Sequence, residues 1–357
     1  MAYSSTAMPK ALLLYTGPSS DNVYVDYPTY TNNDLDQLFL ATKEFVICTG
    51  NVCYNYDISG NQIITSSLIE AITSADIQYA NTLSNVKNDY HSMLNNIQYV
   101  CTLAANISNQ IDLADKIIDR DSNAVIWFSF PHIPFEACAQ HYTTPFTAMV
   151  NNIKSQIGTT RWNNNIRGFY WGTEQVNAYY TKFDASSVNY AFNNRHVKLM
   201  KDMSDLIHGY GKQFMWIPYL TTDTSTSPAY SIIRTGYVAN KTNIFNYVLV
   251  QPGYYSHAEK LAQLNLAKTC AQNNKLYNNS GGVTGGTKTS STKIGVEMEI
   301  DSNITGTNWQ GYNDRYYEYT LRFNPLKTNI PVCYYAGDKN STMNSTVKGY
   351  ITTFYNY

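Results

Sequence analysis

Two glutamates lie at the end of a hydrophobic segment, residues 293–301 (KIGVEMEID). Because side chains alternate along a β-strand, Glu297 and Glu299 face one side and the apolar residues between them face the other. A buried carboxylate costs on the order of several kcal/mol unless it is paired or hydrogen-bonded. The pair is therefore either a charge-paired structural cluster or a catalytic site. A second acidic strand end, residues 166–174 (IRGFYWGTE), lies upstream and supplies Glu174.

Two carboxyl groups can carry out glycoside hydrolysis, in which one protonates the leaving oxygen and the other attacks or activates water. We assign Glu174 as the general acid/base, since its aromatic neighbours would partly desolvate it and raise its pKa. Glu299 is the preferred nucleophile because it lies nearest the strand end, and Glu297 is the alternative nucleophile or a supporting partner. A carboxyl separation of about 5–5.5 Å would indicate retention, and about 6.5–9.5 Å inversion.

The other predicted strand ends carry aromatic rings and hydrogen-bonding groups, which suit the faces and hydroxyls of sugars. The candidate substrate-binding residues are His132, Trp171, Trp216, Tyr219, Gln251, Tyr254, Asp301 and Tyr335. They include no three-ligand metal set, and we expect no cofactor. Structural alternatives stay open: Glu297 could pair with Arg167, and the histidine and tryptophans could be core residues.

Eight short apolar segments, most of them followed by a helical pattern, predict an α/β fold, a (β/α)₈ TIM barrel forming one domain over residues 1–357. The predicted strands are residues 11–17, 44–50, 124–130, 167–172, 212–219, 247–254, 293–301 and 330–337. The predicted helices include residues 33–42, 144–157, 184–210, 257–272, 312–323 and 342–355. A longer helical pattern at about 66–119 predicts an insertion after strand 2. An open doubly wound sheet is the weaker alternative, since no strand end carries a GxGxxG or P-loop motif.

Composition limits the partners. Only 14% of residues are charged and the net charge is −1, without a basic stripe, so nucleic acid is a poor candidate. No apolar stretch approaches the length of a membrane span, about 18 residues. No signal peptide is visible, yet the 32 tyrosines and abundant Asn and Thr suggest an extracellular or cell-surface protein. Cys48 and Cys53 either bridge across a loop or are, like the other cysteines, free thiols.

Four segments carry a family resemblance: residues 168–176 (GFYWGTEQV), 208–220 (HGYGKQFMWIPYL), 248–255 (VLVQPGYY) and 294–301 (IGVEMEID). Together they resemble the blocks of a bacterial family known as domain-of-unknown-function family 4855. The resemblance implies a glycosidase-like TIM barrel, often extracellular. Gly253 stands where the family pattern has Asn, which puts one substrate contact in doubt.

The sequence thus predicts a retaining glycoside hydrolase that acts on a polysaccharide. Two other classes of protein fit the same residues. One is a catalytically inactive barrel that binds glycans. The other is a structural or assembly protein, a surface lattice or filament subunit, for which self-association would be expected.

Overall fold

Eight parallel strands close into a barrel, which confirms the predicted (β/α)₈ fold. The computed structural model describes residues 3–4, 6–20, 24–27, 29–49, 101, 104–105, 107–133, 139, 142–174, 176, 195–220, 228–277, 281–283 and 287–357. The strands are β1 (Lys10–Ser20), β2 (Tyr24–Tyr27), β3 (Glu44–Thr49), β4 (Val125–Ser129), β5 (Ile166–Trp171), β6 (Gln213–Trp216), β7 (Tyr247–Val250), β8 (Lys293–Glu299) and β9 (Val332–Tyr335). Apart from β2, each strand pairs in parallel with the next, and β1 pairs with β9 to close the barrel.

Helices follow most of the strands and cover the barrel. They are α1 (Asn32–Leu38), α2 (Ser108–Arg120), α3 (Thr143–Ile157), α4 (Thr159–Asn164), α5 (Arg195–Gly209), α6 (Pro228–Lys241), α7 (Leu261–Asn273), α8 (Trp309–Phe323), α9 (Lys339–Thr342) and α10 (Ser345–Asn356). None of these helices is both long and apolar enough to cross a membrane.

Several elements differ from the sequence-based expectations. Helices α4 and α6 and strand β2 were not predicted, and β1 does not stop at Gly17 but continues to Ser20 and pairs antiparallel with β2. Proline lacks a backbone donor but is tolerated where no central pairing needs one. Pro18 meets this condition, because the parallel pairing of β1 with β3 ends at Thr16.

The predicted insertion lies mostly outside the described residues. Residues 51–100, which hold most of it, are not described. Its last part is α2, which takes the position of an ordinary barrel helix between β3 and β4 and packs against both strands. The predicted helix at 184–210 is described only from Arg195 onward, as α5.

Strand residues alternate between two apolar layers. The outer layer, between strands and helices, contains Ile294, Val296 and Met298 of β8, as the predicted alternation requires. The inner layer fills the barrel itself. Its buried members are Ala11, Leu13, Val46, Cys48, Trp127, Tyr170, Met215, Ile217, Tyr247, Leu249 and Cys333.

Cys48 is a free, buried thiol in this inner layer. The alternative in which it bridges to Cys53 lies outside the described residues, as Cys53 itself does.

Candidate active site at the carboxyl end of the barrel

Glu297 lies on β8 and is buried, with 2% of its surface exposed. The side chain of Gln251 donates a hydrogen bond to its carboxyl group. The other oxygen, Oε2, has no hydrogen-bond partner within the described part of the chain. Burial, followed by the negative charges of Glu299 and Glu174, raises the pKa of Glu297 well above its ordinary value. The raised pKa favours the protonated form of Glu297.

Glu299, at the last position of β8, is also buried but has more donors around it. Tyr319 of α8 donates its hydroxyl hydrogen to Oε2, and the backbone N–H of Tyr255 approaches the same oxygen at 3.5 Å. Burial raises the pKa of Glu299 to about 7, while these two donors and the positive charge of Lys260 oppose that rise. The two donors and the charge of Lys260 favour the ionised form of Glu299.

Glu174 follows β5 and presents an exposed side chain. The backbone around it is fixed: its carbonyl accepts the N–H of Tyr219 at 2.9 Å, and the carbonyl of Thr173 accepts the indole N–H of Trp216 at 2.7 Å. Gly172 permits this packing, since a Cβ there would lie 2.3 Å from the Phe130 carbonyl oxygen. Desolvation by the surrounding barrel raises the pKa of Glu174.

The three glutamates form one electrostatic group. The charge of Glu174 contributes to the raised pKa of both Glu297 and Glu299. The three carboxyl groups therefore lie close enough to influence one another's pKa values. Tyr15, Tyr170 and Cys48 face the same space, and the negative charge of Glu297 adds to burial in raising the pKa of each. In the described residues none of the three glutamates makes an ion pair. We call this group the mouth cluster.

At the amino end of the barrel, by contrast, the buried charges form an ion pair. Arg167 donates to Glu44 at 2.9 Å and to the side-chain oxygens of Gln213 at 2.8 Å and Tyr247 at 3.1 Å. Glu44 also accepts the indole N–H of Trp127 at 2.8 Å. Arg167 therefore pairs with Glu44, and its suggested pairing with Glu297 is wrong.

Trp171 and Trp216 do not line the mouth. Both are fully buried in the outer layer, where Trp171 contacts Phe130 and Trp216 stacks on Phe245 with ring centroids 5.3 Å apart. Their assignment as sugar-binding platforms is corrected to core packing. A tryptophan at the last position of a strand has its ring direction set by the pleat, and here the pleat turns both rings outward.

Four other predicted site residues lie near the mouth and differ in their contacts and burial. Gln251 bonds Glu297, and Tyr219 is half-buried with Lys260 Nζ 5.0 Å from its ring centroid. Tyr335 packs edge-on against Tyr15 at 6.1 Å. Tyr254, by contrast, is buried against Tyr319.

Two further candidates have structural partners. His132 is half-buried, and burial lowers its pKa. Asp301 accepts the N–H of Asn303 at 2.9 Å and the hydroxyl of Tyr255 at 3.1 Å, so it holds the loop after β8. Both residues lie at the carboxyl end, but their observed contacts are with the protein's own backbone and side chains.

Tyr319, Tyr255 and Lys260 were not among the predicted site residues. All three act on Glu299, as a hydroxyl donor, a backbone donor and a nearby positive charge. Tyr319 comes from the middle of α8, where helical spacing predicts only a buried residue. No signal in a single sequence distinguishes that tyrosine from the other tyrosines of the same helix.

The described residues contain no group of three His, Cys, Asp or Glu side chains that could hold a metal ion. The mouth cluster offers carboxyl and hydroxyl groups. Two buried acids with raised pKa values and a third acid that is open to solvent share one space, which is an arrangement suited to proton transfer and to nucleophilic attack.

Comparison with known proteins gives little further information. No protein-family model and no curated protein matches the chain, so membership of family 4855 stays a prediction. Among solved structures, a Group IV chitinase of Ostrinia furnacalis in complex with allosamidin aligns with a TM-score of 0.31 and 10% identity over 70% of this chain and 51% of that chain. A chitinase of Chromobacterium violaceum aligns with a TM-score of 0.30 and 10% identity, covering 69% of this chain and 56% of that chain. The present chain thus spans about half the length of either chitinase chain.

Proposed function

We propose that the protein is a retaining glycoside hydrolase that acts on a polysaccharide through the mouth cluster. The observation that carries this proposal is the grouping of Glu174, Glu297 and Glu299 at the carboxyl end of the barrel without an ion pair among the described residues. Active sites of TIM barrels lie at this end. Carboxyl groups with raised pKa values that share one cleft are typical of catalytic sites.

Glu299 is the nucleophile in this proposal. A nucleophilic carboxyl group must be ionised, and Glu299 has the hydroxyl of Tyr319, the N–H of Tyr255 and the charge of Lys260 to favour its ionised form. Its position at the end of β8 places it at the mouth rather than within the apolar inner layer.

Glu174 is the general acid/base. It comes from β5, the fourth strand of the barrel, and so faces β8, the seventh strand, across the mouth. Its exposed side chain can exchange protons with water, and its raised pKa favours the protonated form that an acid catalyst needs. Its backbone is held by Tyr219, which limits how far the carboxyl group can move.

Glu297 supports the other two glutamates. In the protonated form, which its raised pKa favours, Glu297 can donate a hydrogen bond to a sugar hydroxyl and places no second negative charge beside Glu299. Gln251 fixes its orientation through the amide hydrogen bond.

The reaction has two steps. Glu299 attacks the anomeric carbon and forms an ester bond with it, while Glu174 gives its proton to the departing glycosidic oxygen. Glu174 then takes a proton from water, the hydroxide oxygen attacks the anomeric carbon, and the ester bond to Glu299 breaks. The product keeps the anomeric configuration of the substrate.

The test is a screen of neutral and acidic polysaccharides for release of reducing ends, followed by NMR of the first-formed anomer. We expect retention, and we expect Glu174→Gln and Glu299→Gln each to lower the rate by about 10²- to 10⁴-fold. Glu318→Gln is the matched control, because Glu318 lies on the outside of α8 and pairs with Arg322.

A fluorinated glycoside that traps the covalent intermediate separates Glu299 from Glu297. We expect the label on Glu299, located by fragmentation of the peptide that contains both residues. A label on Glu297 would reverse their roles, and inversion of the anomer would exclude the covalent mechanism. Binding of oligosaccharides without any cleavage would support the inactive glycan-binding barrel instead. An extracellular location stays a prediction from composition.

A further inference from the structure

Trp309 is the one tryptophan of this chain that is open to solvent. The sequence contains five tryptophans, and Trp127, Trp162, Trp171 and Trp216 are all buried. Half of the surface of Trp309 is exposed (50%). An exposed indole loses the apolar burial that a core position would give it, so its position is unexplained by packing.

Trp309 opens α8, in the connection that follows β8 and its two glutamates. It therefore lies on the same end of the barrel as the mouth cluster. A surface depression of about 480 Å³ surrounds it. The lining side chains include Trp309, Tyr312, Arg315, Asn308 and Gln310.

The depression is connected to Glu299 through one intervening residue, Tyr255. Tyr255 approaches Glu299 with its backbone N–H at 3.5 Å and packs on Tyr312 with ring centroids 5.1 Å apart. Arg315 donates to the Tyr255 carbonyl at 2.5 Å and lies 4.4 Å from the centre of the Tyr312 ring. The buried Tyr255 thus contacts both Glu299 and two residues that line the depression, Tyr312 and Arg315.

The segment that carries Trp309 is held in place. The N–H of Trp309 bonds the Gly306 carbonyl at 3.1 Å, and the N–H of Gly306 bonds the Asn303 carbonyl at 3.0 Å. Ser302 donates its N–H to Ser341 Oγ at 2.6 Å, which ties the start of the segment to α9. An aromatic surface fixed in this way loses little conformational entropy when it binds a ligand.

We infer that the depression around Trp309 is an additional sugar-binding subsite, which holds a ring of an extended glycan whose cleaved bond lies at Glu299 and Glu174. The flat indole matches the C–H face of a pyranose ring. The amides of Asn308 and Gln310 and the guanidinium of Arg315 supply partners for hydroxyl groups. This inference rests on the proposal that the mouth binds a glycan, and it adds that the ligand is a chain of several sugars.

The test compares a disaccharide with a hexasaccharide, both prepared from the polysaccharide that the enzyme cleaves. If none is cleaved, the two lengths are taken from chitin, cellulose, xylan and mannan. Binding is measured by calorimetry in the Glu174→Gln variant, which suppresses turnover. We expect Trp309→Ala in that background to weaken hexasaccharide binding by at least about tenfold and to reduce its advantage over the disaccharide.

Tyr317→Ala is the matched control. Tyr317 is an exposed aromatic residue of the same helix, with 59% of its surface open, and it does not line the depression. Its removal should leave both affinities unchanged. The hexasaccharide should also change the tryptophan fluorescence, and Trp309→Ala should abolish that change because the other four indoles are buried.

The outcomes separate the subsite from the proposed function. If both sugars bind and Trp309→Ala keeps the full advantage of the hexasaccharide, the subsite is refuted while the glycosidase proposal stands. An equal loss in Tyr317→Ala would show a non-specific surface effect and would also refute it. If neither sugar binds in any series, both proposals fail.

Discussion

The two ends of the barrel differ in whether their buried charges are paired. At the amino end, the guanidinium of Arg167 and the carboxylate of Glu44 neutralise each other, and neighbouring side chains and backbone groups satisfy further donors and acceptors of the pair. At the carboxyl end, Glu297 and Glu299 are equally buried but have no ion-pair partner in the described residues. The barrel therefore contains two buried polar networks. In the closed network at the amino end the two charges pair with each other, and in the open network at the carboxyl end the carboxyl groups have no ion-pair partner among the described residues.

The proposed function accounts for this difference, with a structural amino end and a functional carboxyl end. A buried ion pair whose hydrogen bonds are complete can be retained for the fold alone. Buried carboxyl groups that are left unpaired reduce stability, and they keep a proton that chemistry can use. The open network lies at the end where barrel enzymes place their active sites.

The largest effect is expected at the amino end. Replacing Arg167 by Met leaves Glu44 buried without its cation, which should lower the free energy of unfolding by about 3–5 kcal/mol. Urea denaturation followed by circular dichroism measures this. The control is Lys198→Ala, which breaks the exposed Lys198–Asp202 pair and should cost less than about 1 kcal/mol. Equal losses in the two variants would show that the Arg167 network is not special.

Replacing Glu299 in the mouth cluster should instead raise the free energy of unfolding. The pKa of Glu299 is about 7 in the folded protein and 4.5 in its ordinary state. The folded state therefore holds the proton more tightly, and its contribution to stability is complete below pH 4.5 and lost as the pH rises through 7. Glu299→Gln abolishes that loss and should raise the free energy of unfolding by about 3 kcal/mol at alkaline pH.

Denaturation series from acid to alkaline pH test this prediction. The wild-type protein should lose stability as the pH rises from 4.5 through 7, and the Glu299→Gln variant should lose less. If both lose stability in parallel, Glu299 does not titrate with a raised pKa and the carboxyl end is not an open network.

Tyr319→Phe tests how the ionised form of Glu299 is favoured. Without the hydroxyl donor, the pKa of Glu299 should rise further, and the limb of the rate profile that depends on its ionisation should move to higher pH. The cost in stability should be about 1 kcal/mol. Tyr316→Phe is the control, since the Tyr316 hydroxyl bonds Tyr334 instead and should leave the pH profile in place.

The smallest change in stability is expected for Glu174→Gln. Its side chain is exposed, so the free energy of unfolding should change by less than about 0.5 kcal/mol while activity falls strongly. Calorimetric melting and the rate assay are measured on the same preparation. A large loss of stability would instead assign Glu174 a structural role.

The barrel was predictable because its strands are short, apolar and closed by turn residues. The alternation along β8 placed Ile294, Val296 and Met298 outward and Glu297 inward, as the structure shows. Contacts between distant elements were not predictable. Arg167 could have paired with Glu297 or Glu44, and only the fold shows that Glu44 lies at the same end as Arg167.

The aromatic residues show the same limit. The period of a strand does not tell which layer a terminal tryptophan joins, and Trp171 and Trp216 turned out to be buried in the outer layer. Trp309 lies at a helix start in a polar segment, where no hydrophobic pattern marks it. Its exposure, and the contact of Tyr312 in the same helix with Tyr255, follow only from the packing of α8 in the fold.

The protonation state of Glu297 tests the contrast between the two ends most directly. Infrared difference spectra at neutral pH between the wild-type protein and the Glu297→Gln variant report on the carboxyl group of Glu297 while Glu299 is in place. We predict the carbonyl band of a protonated acid that disappears in the Glu297→Gln variant. A carboxylate band in its place would mean that Glu297 is ionised and charge-compensated, and the carboxyl end would then be as closed a network as the amino end.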